Sequence, residues 1–148
     1  MDIIKQYQWL LVVALVVLAG VFFFLNRLYR NDVQALTDFS AAYQKFDKTI
    51  ADFSVSSTDD LDSKTDEALV ELTEKATVRL SSLIKNDAEL MNQAREVADL
   101  SGRELASLKI YKGASRSKNA DSDGLAKEYG DLTSKRKAAY ARFRQLGE

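Results

Sequence analysis

Seventeen consecutive residues, Trp9 to Leu25 (WLLVVALVVLAGVFFFL), carry no charged, amide or hydroxyl side chain. No other feature restricts the fold of this chain as tightly. Counting outward, residues 6–26 are free of charge and lie between Lys5 and Arg27. As helix, that window spans ~32 Å at ~1.5 Å per residue, matching a hydrocarbon core of ~30 Å. Tyr7 and Trp9 stand at one edge and Tyr29 at the other, where amphipathic rings prefer the membrane interface. The run predicts a single transmembrane helix.

A cleaved signal peptide is the competing assignment, because Val17-Leu18-Ala19 followed by Gly20 resembles a small-residue cleavage site. Against it, the apolar run continues through Phe22, Phe23, Phe24 and Leu25 and exceeds an ordinary signal-peptide core. The expectation is a retained anchor in residues 1–30, spanning about 7–26, in a cell membrane and crossing it once. The side holding the C-terminal part stays open. Arg27, Arg30, Lys45 and Lys48 favour a cytoplasmic C-terminal domain by the positive-inside rule. A short tail before a single span is instead the form of an uncleaved signal anchor, which exports the C-terminal part of its chain.

Residues 31–148 predict an all-α domain. No Pro occurs anywhere and no Gly between Gly20 and Gly102. Leu36, Phe39, Tyr43, Phe46, Ile50 and Phe53 succeed one another at steps of three and four, an apolar stripe on one helical face. Nothing between Leu25 and Val33 breaks a helix, so the transmembrane helix is expected to continue into this amphipathic stalk. The segment SVSSTDDLDSK, residues 54–64, reads as a turn, with Ser63 or Thr65 as the next N-cap.

The next helical pattern runs from Thr65 to Tyr111 without an obvious breaker before Gly102. A stalk from Asn31 to Phe53 is ~35 Å long, so a partner returning along it meets the membrane surface near residue 87. Running on would carry Arg95, Glu96, Asp99 and Arg103 into hydrocarbon, at several kcal/mol each. A turn is therefore expected near Asn86-Asp87, with Glu89 placed as in a capping box. The result is an antiparallel bundle of four helices, about 31–54, 65–85, 88–112 and 125–146. Its core is contributed by Leu69, Leu72, Ala76, Leu80 and Leu83; by Leu90, Ala94, Val97, Leu105 and Leu108; and by Leu125, Tyr129, Leu132, Ala139, Phe143 and Leu146. The alternative is three helices with residues 65–111 unbroken.

Composition bounds the chemistry. With no Cys and no His, the chain has no thiolate nucleophile, imidazole base or imidazole–thiolate metal site. Charge is divided: residues 31–102 hold 7 basic and 15 acidic side chains, residues 103–148 hold 11 and 6. Attraction between packed helices explains this split, as does a basic end meeting lipid or an acidic partner. Lys109, Lys112, Arg116 and Lys118 form one basic cluster at a helix end. Lys135, Arg136, Lys137, Arg142 and Arg144 read as a charged exposed face.

Motifs with catalytic or metal-binding potential are all partial. Asn119, Asp121, Asp123 and Gly124 match the first half of a calcium loop, but Lys127 and Gly130 occupy its later ligand positions. Asp59, Asp60 and Asp62 make an acidic run, read as a helix entry. Ser82 and Lys85, and Ser115 and Lys118, repeat a Ser-x-x-Lys spacing without the other motifs that chemistry requires. No catalytic, cofactor or metal residue is assigned. The layout resembles type IV pilins in outline, but no Gly-Phe processing site followed by a Glu occurs early in the helix. The expectation is a non-enzymatic, single-pass membrane protein serving as an accessory or scaffold subunit. Its expected partners are the lipid bilayer and other membrane-complex proteins or a homo-oligomer, with no nucleic acid. A ligand-sensing bundle signalling through a partner chain, or a filament-forming protein, are the alternatives.

Overall fold

The computed structural model describes residues 2–56, 58–80, 87–116 and 122–147. Among them are four α-helices and no strand: α1 (Asp2–Val55), α2 (Asp59–Glu74), α3 (Ala88–Arg116) and α4 (Ser122–Gly147). The chain divides into two compact units, Met1–Gln34 and Ala35–Glu148.

The first unit is the apolar part of α1. It is long and apolar enough to cross a membrane, and none of its most apolar window is buried. Trp9, 71% exposed, and Phe22, Phe23, Phe24 and Leu25 stand open around the helix.

In the second unit, one hydrophobic core draws on all four helices. The α1 stripe is buried as its spacing predicts: Phe39, Tyr43, Phe46, Ile50 and Phe53 are enclosed, and Leu36 is partly covered. Phe39 packs on Phe143 of α4, with ring centroids 4.5 Å apart, and Tyr43 stacks on Tyr140. From α3, Leu90, Ala94, Val97, Leu105 and Leu108 are all buried. In α4, Leu132, Ala139 and Phe143 are buried, whereas Leu125, Tyr129 and Leu146 are half-covered.

The entry to α2 differs from the sequence expectation. Thr58, not Ser63 or Thr65, is the N-cap, its hydroxyl accepting from the Leu61 amide. Asp59, Asp60 and Asp62 then occupy the first turn, where carboxylates complement the positive end of the helix dipole. Thr65 is instead buried, its hydroxyl 2.6 Å from the Leu61 carbonyl. A mid-helix Thr satisfies its oxygen by this back-bond, so it can serve as a core residue.

The core face of α2 and of the turn that continues it runs Ala68, Leu72, Ala76 and Leu80, in steps of four. In a regular α-helix each such step drifts ~40° around the axis. The π-helical turn at Lys75–Arg79 winds the chain less per residue and returns Leu80 to the core. Residues 81–86, with Leu83 and Asn86, lie outside the described residues. Helix α3 begins afresh: Asp87 Oδ1 accepts from the amides of Glu89 and Leu90, both at 3.1 Å. Asp87 thus caps α3, and 65–111 is not one helix.

Two helical glycines are open to substitution. A Cβ on Gly130 would meet nothing within 4 Å, and one on Gly102 would touch Leu69 Cδ2 at an ordinary 3.9 Å. Each Gly→Ala change is expected to raise stability by ~0.5–1 kcal/mol by reducing the freedom of the unfolded backbone. Urea unfolding checks this; a lowered midpoint for Gly130→Ala would be inconsistent with the exposed helical setting.

Candidate functional site

Arg136 lies on the α4 stripe itself. The buried positions of that helix are Leu132, Arg136, Ala139 and Phe143, at steps of four, three and four. Its side chain is 1% exposed, which corrects the expectation that it belongs to the charged outer face with Lys135, Lys137, Arg142 and Arg144; those four are exposed. On α3, Glu104 likewise falls between Ser101 and Leu108 on the core-facing row and is fully buried.

These two charges meet. Arg136 Nε donates to Glu104 Oε2, and Nη2 donates to Asp47 Oδ1 of α1 at 2.6 Å. Thr133 Oγ1 donates to Glu104 Oε1 at 2.6 Å, so both carboxylate oxygens are engaged. The guanidinium stands 5.1 Å from the Tyr43 ring centroid and 5.4 Å from that of Phe46. Only Nη1 has no hydrogen-bond partner among the described atoms. Burial disfavours the charged guanidinium, yet the hydrogen bond and charge of Glu104, with Asp47, hold its pKa above the ordinary arginine value.

Tyr43 is sandwiched between Tyr140, 3.6 Å away between centroids, and Arg136. Burial is the main reason its pKa is pushed up to about 12; Arg136 opposes the shift and Asp47 adds to it. A second charged cluster joins α2 to α3. Lys109 Nζ lies 2.8 Å from both Asp62 and Asp66, and Lys112 stands 5.0 Å from the Phe53 ring centroid. Beside it is a pocket of about 190 Å³ lined by Phe53, Thr58, Asp59, Asp62, Lys109 and Lys112.

The partial motifs lie only in part within the described residues. Asp123 and Gly124 belong to the first turn of α4, while Asn119 and Asp121 lie outside the described residues. Asp60 is paired with Lys64 and Asp62 with Lys109. Among the described residues no group of three carboxylates is arranged to hold a metal ion. Ser115 sits in the last turn of α3; Lys118, Ser82 and Lys85 lie outside the described residues. Sequence reasoning missed Glu104 and misplaced Arg136, although both sit on the three-and-four spacing that marks the core. Comparison of the chain with protein-family profiles, curated proteins and solved structures finds no match.

This geometry sets up two measurements. Arg136→Met would strand the buried Glu104 carboxylate and is expected to cost ~3–5 kcal/mol. Removing both charges together, as Arg136→Met with Glu104→Met, is expected to recover most of the loss, since an apolar pair avoids the desolvation penalty. Equal losses in the single and double variants in urea unfolding would contradict the pairing. For Tyr43, the folded state keeps its proton to higher pH than the unfolded chain, whose tyrosines titrate near ~10. That stabilisation is complete below pH ~10 and is lost as pH rises through about 12. Phenolate absorbance should therefore show a late-titrating component that disappears in Tyr43→Phe.

Proposed function

We propose that this protein is a non-enzymatic, single-pass membrane protein whose C-terminal domain is an antiparallel four-helix bundle, acting as an accessory or scaffold subunit of a membrane-associated complex. The observation that carries the reading is the exposed apolar helix: Val12 to Leu25 presents large side chains on every face, and none of its most apolar window is buried among the described residues. A bilayer supplies that cover, and the residues flanking the run are suited to its interface.

The order of the contacts supports the antiparallel arrangement. Between α1 and α4 the pairs are Phe39–Phe143, Tyr43–Tyr140 and Asp47–Arg136, one number rising as the other falls. The α1–α2 pairs Lys45–Glu71 and Thr49–Thr65 behave the same way. So do Asp66–Lys109 and the approach of Leu69 to Gly102 between α2 and α3. An unbroken helix over 65–111 would favour the filament alternative, and the cap at Asp87 counts against such a helix. Lys45, Lys109 and Arg136 each pair with carboxylates of another helix, which favours a fixed architecture over a reacting centre.

The test is extraction and purification from native membranes. The chain is expected to resist alkaline carbonate and to require detergent; release by carbonate would overturn the anchor. Distinct polypeptides recovered with it at fixed stoichiometry in mild detergent would support the subunit role, and their consistent absence would oppose it. Because the chain has no Cys, a single Cys at exposed Ser63 can be probed with an impermeant thiol reagent in intact cells. Labelling from outside would show an exported domain.

A further inference from the structure

Between Asp131 and Glu148 the sequence holds five cations and no acid. Arg136 is buried and paired, and Arg144 is already engaged within the chain. The other three, Lys135, Lys137 and Arg142, are exposed and form no ion pair among the described residues, Asp131 one turn before Lys135 included. Between them runs a row of small exposed side chains, Ser134, Ala138 and Ala141, at steps of four and three. At ~100° per residue, Lys137 falls on one flank of that row and Lys135 and Arg142 on the other. The one polar side chain in the row is satisfied, since Ser134 Oγ donates to the Gly130 carbonyl at 3.0 Å. Covering the row therefore strands no donor. Beside Ala141 opens a groove of about 390 Å³ whose lining includes Tyr43 and Tyr140.

We propose that this row is the docking surface for an acidic helix of a different polypeptide in the membrane complex, a proposal that deepens the subunit reading and rests on it. The three unpaired cations fix the sign of the partner. Its carboxylates reach Lys137 on one flank and Lys135 and Arg142 on the other. Its apolar side chains lie over Ala138 and Ala141, where small side chains let two helix axes come close. From Ser134 to Arg142 the row is ~12 Å long, enough for about two turns of a partner helix. An extended peptide gains no main-chain hydrogen bonds here, because the backbone groups of α4 are satisfied within the helix. An anionic bilayer is a poorer fit, since no large apolar side chain stands between the cations to enter it.

The test is photocrosslinking in native membranes from the full chain carrying Ala138→p-benzoylphenylalanine. The expected product is a covalent adduct with another polypeptide, and its crosslinked peptide is expected to be acidic when sequenced. The yield is expected to fall as salt rises. It is expected to fall about tenfold or more when Lys135→Glu, Lys137→Glu and Arg142→Glu are combined, because like charges then face each other. Changing the same three residues to Gln is expected to weaken it less, in the same direction. Lys48→Glu reverses an exposed cation on α1 and is expected to leave the yield unchanged. All these positions are exposed, and unchanged helix content in the variants excludes misfolding as the cause. An adduct with a neutral or basic peptide, a second copy of this chain, a lipid or a nucleic acid would overturn the proposal. So would the absence of an adduct, or a yield insensitive to the triple reversal. Polypeptides that co-purify at fixed stoichiometry without crosslinking at Ala138 would leave the subunit reading standing while this surface fails; no co-purifying polypeptide at all would end both.

Discussion

The buried ion pair between Arg136 and Glu104 fixes the domain's internal register. An apolar core tolerates sliding, because one Leu contact replaces another at similar free energy. A guanidinium in that core does not: one helical turn of slip between α3 and α4 removes its counter-charge and leaves both ions desolvated. The pair also reaches α1 through Asp47 and the faces of Tyr43 and Phe46. One side chain thereby ties three helices at a single level. Specificity of this kind carries a desolvation cost that an apolar pair would avoid, so its place is in fixing one arrangement over its neighbours.

The charge division of the sequence takes on a similar meaning. The C-terminal excess of base is partly met inside the domain, where Lys109 faces Asp62 and Asp66 and Arg136 faces Asp47. In each case a basic residue from beyond residue 103 meets acids from before it. Exposed pairs among these contribute little each. Together they favour one order of helices around the core, since exchanging two helices would set like charges against one another.

Much of the fold was legible because helical periodicity is a strong signal in a chain with almost no interruptions. The stripe from Phe39 to Phe53 and the α3 core row follow from spacing, and the break near residue 87 from the length of the stalk together with a local cap. The misplaced helix entry has a local cause: a run of Ser, Thr and Asp resembles a turn, but those residues also populate a first helical turn once Thr58 caps it. Leu69 is only partly covered because the core face of α2 runs through Thr65, Ala68 and Leu72, and no pattern of residue types announces the π-helical turn that follows it. The polar centre was legible in position but not in kind. Arg136 and Glu104 occupy stripe positions, yet residue type alone assigns such side chains to the surface, since each is seldom buried without a partner. Recognising them required treating two off-type residues on separate helices as one pair.

The division into two compact units also separates the chain's chromophores. Trp9, the sole tryptophan, stands exposed on the first unit, whereas Tyr43, Tyr111, Tyr129 and Tyr140 belong to the second. Indole emission therefore reports the surroundings of the apolar helix, and phenol absorption reports chiefly the helical domain. Tyr7 and Tyr29 share the first unit with Trp9, so indole emission is the cleaner of the two signals, and it reports on the apolar helix with no label added.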